Sequence, residues 1–154
     1  MSGIRDIWFY ANNIIKSARQ MVNEKLRPLG LGSAEGNILL HLLAVGSILK
    51  QEDLVEELEI SKPAVSRALN SLERKGFVGR ERDLSDKRVS RVHLTDKAYK
   101  IGSKLEQVYE GVFSAAARGI PEEEIKGFIK LSRRISENLS KNRKGKKGAG
   151  IDYE

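Results

Sequence analysis

The first run of regularly spaced apolar residues covers positions 4–27. Ile7, Ala11, Ile14, Ile15, Ala18, Met21, Val22 and Leu26 recur at steps of three and four, which lines one side of a helix. Pro28 and the glycines at 30 and 32 end it. A helix of about 24 residues is ~36 Å long, as long as a small domain is wide. Part of the stripe is therefore expected to pack on something outside its own domain. Ser33 is a suitable cap for a second helix, with Glu35 in its electropositive first turn and Ile38, Leu39, Leu42 and Leu43 facing the core. His41 falls beside that face as a structural or surface residue, and Gly46 closes the helix. A short third helix is predicted over 51–58, with Leu54, Val55 and Leu58 apolar, followed by a tight turn at Glu59, Ile60 and Ser61.

Ser61 predicts the N-cap of a fourth helix. Pro63 falls in its first turn, where the missing N–H leaves no bond unmade. Val65, Leu69 and Leu72 are spaced to face inward, and Lys62, Ser66, Arg67, Asn70 and Arg74 occupy the other side. Gly76 is placed to end the helix in the left-handed conformation. The period then changes to two. Segments 77–82 and 89–94 read as strands, with Ser90, Val92 and Leu94 on one face and a polar turn, Asp83 to Arg88, between them. Thr95 is expected to cap a fifth helix over about 96–118, striped by Ala98, Ile101, Leu105, Val108, Val112 and Ala116. Gly119 stops it. Pro121 opens a sixth helix at its first position, ahead of Glu122, Glu123 and Glu124, and Ile125, Phe128, Ile129, Ile135 and Leu139 carry it to about 141. Residues 142–154 lack apolar periodicity and read as a flexible basic tail.

Composition narrows the function classes. Of 154 residues, 40% are hydrophobic and 32% charged, the balance of a folded protein. Lys plus Arg total 28 against 21 acidic residues, a net charge of +7 that suits a polyanionic partner. Arg143, Lys144, Lys146 and Lys147, less Asp152 and Glu154, place +2 of that in the tail. With no cysteine, disulfides, thiolate metal sites and thiol redox sensing are excluded. His41 and His93 lie on different elements, so neither a metal centre nor any other cofactor is expected. No Ser/His/Asp set or phosphate-binding glycine loop points to an enzyme. No apolar run approaches the ~20 residues that span a bilayer, and the first residues lack a secretion-signal pattern, so a cytoplasmic location is expected.

Two short helices, a tight turn, a polar-faced helix and a charged hairpin make a winged helix-turn-helix. The fold class is thus mainly α with a small β-hairpin wing, flanked by long N- and C-terminal helices. The fourth helix can lie in the major groove of DNA, ~12 Å wide. Its apolar face holds the domain while Ser61, Lys62, Pro63, Ser66 and Arg67 meet bases and phosphates. The hairpin can reach the adjoining minor groove, whose negative potential favours arginine. Arg88 is the candidate there, with Asp86 orienting it through a charge-assisted bond. Arg80, Arg82, Lys87 and Arg91 are expected to add backbone electrostatics.

The run Leu54-Val55-Glu56-Glu57-Leu58-Glu59-Ile60-Ser61-Lys62-Pro63-Ala64-Val65-Ser66-Arg67 resembles the MarR family of regulators, as does Leu72-Glu73-Arg74-Lys75-Gly76-Phe77-Val78. The wing Asp83-Leu84-Ser85-Asp86-Lys87-Arg88 before Leu94-Thr95-Asp96-Lys97 is also similar, with Ser85 where that family commonly has arginine. The resemblance implies a homodimer joined by the first and last helices. Segments 1–32 and 96–141 would then form the dimerisation part, and 33–95 the DNA-binding lobe. It implies a sequence-specific transcriptional regulator, a repressor at a palindromic promoter site, with small-molecule control as in many members. Trp8, Tyr10 and Tyr109 are candidates to receive an aromatic ligand, or else fill the dimer core. The competing reading is a winged-helix protein-interaction module that does not read DNA sequence, since a fold does not determine a function.

Overall fold

Helical and strand periodicities become nine regular elements joined by short turns in the computed structural model, which describes the backbone of residues 2–145 and the side chains of 3–141. Helix α1 spans Ser2–Leu26 and passes into a single 3-10 turn, Arg27–Leu29. Then come α2 (Ser33–Val45), β1 (Leu49–Lys50), α3 (Gln51–Leu58), α4 (Lys62–Arg74), β2 (Val78–Arg82), β3 (Ser90–Leu94), α5 (Asp96–Ala116) and α6 (Glu122–Gly145). Strand β1 was not expected. Two residues are too short to show alternation, and Leu49–Lys50 is a strand only because Val92 and Arg91 of β3 lie beside it. The sheet is antiparallel in the order β1-β3-β2, and Arg80 of β2 stands opposite Val92.

The chain divides into two compact units, Met1–Phe113 and Ser114–Glu154. In the first, the core gathers side chains from nearly every element. Leu26 of α1, Ile38, Leu39 and Leu42 of α2, Leu54 of α3, Val65, Leu69 and Leu72 of α4, Val92 of β3 and Leu105 of α5 are fully buried. Each such side chain contributes roughly 1.5–3 kcal/mol relative to solvent. Val22 and Leu26 are the last α1 stripe residues to enter this core. Ile7, Ile14 and Ile15 of the same stripe stay exposed, as do Ile4, Trp8, Phe9 and Tyr10. The second unit is mainly α6, which leaves Phe128, Ile129, Leu131 and Leu139 exposed.

The helix ends show local chemistry at work. Gly30 and Gly76 adopt φ of 69° and 78°, left-handed values that an ordinary side chain would strain. Ser61 caps α4 as expected, its Oγ accepting the Ala64 N–H at 3.4 Å. Two other caps differ from expectation. Ser33 lies inside α2, and Gly32 takes the cap position with its N–H donating to Glu35 Oε2 (3.2 Å). The Ser33 N–H instead donates to Asn23 Oδ1 of α1 at 2.7 Å, so a side chain ten residues back replaces the local cap. Thr95 precedes α5, but its hydroxyl donates to the carbonyls of Gly76 (2.6 Å) and Phe77 (3.1 Å), tying the sheet to the end of α4. Pro121 precedes α6 by one residue, and the backbone of α6 runs to Gly145, past the expected end near 141. The rest of the basic tail lies outside the described residues.

The end of α4 is also anchored by charge. Lys75 Nζ donates to both carboxylate oxygens of Glu35 (2.8 and 3.0 Å) and to the Gly30 carbonyl (2.7 Å). Burial alone would raise the pKa of Glu35. Hydrogen bonds from Lys75, Ser71 and the Gly32 N–H outweigh that, and the group is held below the usual carboxylate value. Lys97 donates to the Lys75 carbonyl (2.6 Å), and its ammonium sits 4.4 Å from the centre of the Phe77 ring.

Candidate nucleic-acid interface

Helix α4 presents two faces. Val65, Ala68, Leu69 and Leu72 are buried, and the core holds the helix by them. Lys62, Pro63, Arg67 and Asn70 are exposed, with Ser66 half-buried between them. Lys62, Ser66, Asn70 and Arg74 follow one another at four-residue steps and form a single ridge. The sequence-predicted residues of this helix are therefore all brought to one surface, with Ser61 exposed at its start.

The wing turn is braced by its own carboxylates. Asp83 is buried. Its Oδ1 accepts from the Ser85 hydroxyl (2.5 Å) and N–H (2.8 Å), and its Oδ2 accepts from Arg91 Nε (2.6 Å). These bonds, Ser85 first and then Arg91, hold its carboxyl far below the usual range. Ser85 thus closes the turn locally at the position where the resembling family commonly has arginine. Asp86 accepts from the Arg88 N–H (3.0 Å), Nε (3.2 Å) and Nη2 (3.3 Å), and this holds Asp86 below its ordinary pKa. The Arg88 side chain is 91% exposed, so Asp86 orients a guanidinium that is otherwise free to meet a partner. Lys87 is exposed beside it.

Two cations differ from expectation. Arg91 pairs with Asp83 inside the hairpin rather than adding an open charge. Arg80 turns to α4, where Nε (3.0 Å) and Nη2 (2.6 Å) donate to Glu73 Oε2 and Nη2 also donates to Asn70 Oδ1 (2.6 Å). The signal for this was present in the strand alternation. Arg80 is two residues from buried Val78 and opposite buried Val92, so it stands on the core-facing row, where a cation needs a partner.

The three aromatic candidates are not brought together within one chain. Trp8 and Tyr10 are exposed on the first half of α1, at 67% and 63%. Tyr109 of α5 is half-buried, and its hydroxyl donates to Asn37 Oδ1 at 2.7 Å. Burial pushes that hydroxyl up to about 12. It would lie 2.8 Å from a Cβ on Gly36, and Leu26 would lie 2.5 Å from the same Cβ, so Tyr109 sits beside the far end of α1. At 1.5 Å per residue, roughly 25 Å separates that end from Trp8 and Tyr10. His41 Nε2 contacts Glu57 Oε2, and the His93 ring lies against Gly79. Among the described residues, no group of three or more His, Asp or Glu side chains is placed to hold a metal ion, and no helix is long and apolar enough to cross a membrane.

Comparison with known proteins shows what this geometry is similar to. The MarR family model matches residues 29–89. A MarR transcriptional regulator from Methanosarcina mazei Go1 is 24% identical, with a TM-score of 0.79 over 89% of this chain and 98% of its own. A mutant MarR from E. coli, complexed with operator DNA, is 21% identical, with a TM-score of 0.77 over 86% and 95%. A MarR family regulator from Listeria monocytogenes, complexed with a 26mer DNA, is 23% identical, with a TM-score of 0.76 over 97% of each chain. Residues 29–89, the helix-turn-helix and wing, are thus similar to the MarR family, and the chain has the fold of the solved MarR structures.

Proposed function

We propose that this chain is a DNA-binding transcriptional regulator that acts as a homodimer on a palindromic promoter site. The observation that carries the reading is one surface: Lys62 and Arg67 on the open face of α4, with Arg88 held outward by Asp86 on a braced wing. The helix supplies side chains to the major groove, and Arg88 supplies a cation to the adjoining minor groove. Two solved MarR proteins of the same fold carry DNA, which supports this use of the surface. Exposed Ile4, Ile7, Trp8 and Ile14 on α1, and Phe128 and Leu139 on α6, favour association of two copies through these helices. A two-fold pair would read half-sites about one DNA turn, ~34–36 Å, apart. Occupying a promoter represses it, and a small aromatic ligand that prefers a differently spaced dimer would release it.

The test is selection of bound duplexes from a random pool, followed by affinity across a salt series. The expected result is an enriched inverted repeat whose log affinity falls linearly with log salt, by ~0.9 per phosphate neutralised. Absence of enrichment, or affinity indifferent to salt, would overturn the reading in favour of a protein-interaction module. Sedimentation of the free protein is expected to give a dimer. Competition with small aromatic acids addresses release.

A further inference from the structure

Asn70 stands on the exposed ridge of α4, one helical step beyond Ser66, in the row that begins at Lys62. An asparagine in a recognition helix ordinarily reads adenine with both sides of its amide: the oxygen accepts from the base amino group and the nitrogen donates to N7. Here one of the oxygen's two lone pairs is taken. Arg80 Nη2 donates to Asn70 Oδ1 at 2.6 Å, and an arginine has no acceptor, so the amide must turn its oxygen to the guanidinium. The same guanidinium is held by Glu73 through Nε and Nη2 at 3.0 and 2.6 Å, and the Arg80 side chain is only 22% exposed. It is thus seated and does not swing away. A second donor approaching Oδ1 would meet the N–H groups of a cation, donor against donor.

We infer that Arg80, from the sheet, sets the base preference of Asn70 by making its oxygen the poorer contact and its Nδ2 hydrogens the better one. Asn70 then favours acceptor edges, guanine N7 and O6 or thymine O4, and disfavours the paired donor and acceptor of adenine. Arg80 is a positioning residue in this scheme and touches no base. Its charge is spent on Glu73, so it adds nothing to phosphate binding. The inference rests on the DNA-reading function proposed above.

The experiment repeats duplex selection with the full-length wild type, Asn70→Ala and Arg80→Met, each checked for fold by far-ultraviolet circular dichroism. The wild type is expected to disfavour adenine at one symmetry-related pair of operator positions. Asn70→Ala is expected to lose that preference there alone, by about 2- to 10-fold, as for a single hydrogen bond. Arg80→Met frees the amide oxygen and is expected to enrich adenine at the same positions, with an unchanged salt slope. Arg80→Leu likewise lacks any donor and serves if the methionine variant fails to fold, with adenine again expected to gain. An unchanged base preference in the Arg80 variants, or a wild type that already selects adenine under Asn70, overturns the inference. So does a salt slope that falls by about one in Arg80→Met, which would mean that Arg80 meets a phosphate. If the wild type enriches no duplex, the DNA-reading function itself has failed.

Discussion

Gly36→Ala sets two opposed effects against each other at the junction of α1, α2 and α5. In the interior of a helix, alanine is favoured over glycine by roughly 1 kcal/mol, which would stabilise α2. Against this, a Cβ at position 36 would lie 2.5 Å from Leu26 Cδ1 and 2.8 Å from the Tyr109 hydroxyl, well inside ordinary contact. Side-chain ends often yield, but these two are held. Leu26 is fully buried, and Tyr109 is tied to Asn37. Forcing a methyl into such packing costs ~1–3 kcal/mol, and losing the tyrosine hydrogen bond costs ~1 kcal/mol more. The packing cost wins, and the expected net loss is ~1–3 kcal/mol. Urea unfolding followed by circular dichroism, at one fixed protein concentration, measures it. With a slope of ~2 kcal/mol per molar urea, the midpoint is expected to drop by ~0.5–1.5 M. Gly111→Ala in α5 is the control, because the nearest atom to its Cβ is Lys25 Nζ at 3.9 Å. That variant is expected to gain ~0.5–1 kcal/mol. Adding Tyr109→Phe to Gly36→Ala is expected to restore part of the loss, since it removes one of the two crowded atoms. A Gly36→Ala protein as stable as the wild type would show that helix propensity governs this position and that the junction is not closely packed.

Gly79→Ala would place a Cβ 2.4 Å from both Cε1 and Nε2 of His93. A loss of ~1–3 kcal/mol is expected, largely relieved by His93→Ala, and thermal melts of the single and double variants check it. Glu35 has a depressed folded-state pKa, so its contribution is present above the ordinary value of 4.5 and is lost as pH falls through the lower folded value. Stability measured down an acid series is expected to fall below pH 4.5 in the wild type and to fall less steeply in Glu35→Gln, which is also the less stable protein near neutrality. Arg88→Ala is expected to weaken operator binding by ~1–3 kcal/mol with no change in melting temperature, because the side chain is exposed. Lys62→Ala is expected to lower the salt slope of binding by about one, as read by fluorescence anisotropy of a labelled duplex.

Local chemistry was legible along the chain. The apolar stripes located the helices because a helix buries one face whatever it packs on. Ser61, Gly30 and Gly76 marked ends because caps and left-handed turns depend on the residue itself. The polar ridge of α4 and the bond from Arg88 to Asp86 followed from spacing alone. Bonds between residues far apart in the chain were decided by the tertiary structure. Lys75 meets Glu35 across forty positions, the Ser33 N–H finds Asn23, and Thr95 turns its hydroxyl to Gly76 instead of to its own helix. Strand β1 exists only through pairing, and Arg80 reaches Asn70 only because β2 lies alongside α4. Periodicity and capping act over a few residues, where the chain's own geometry sets the distance between groups. A hydrogen bond between separate elements depends on tenths of an ångström that are set when the core closes.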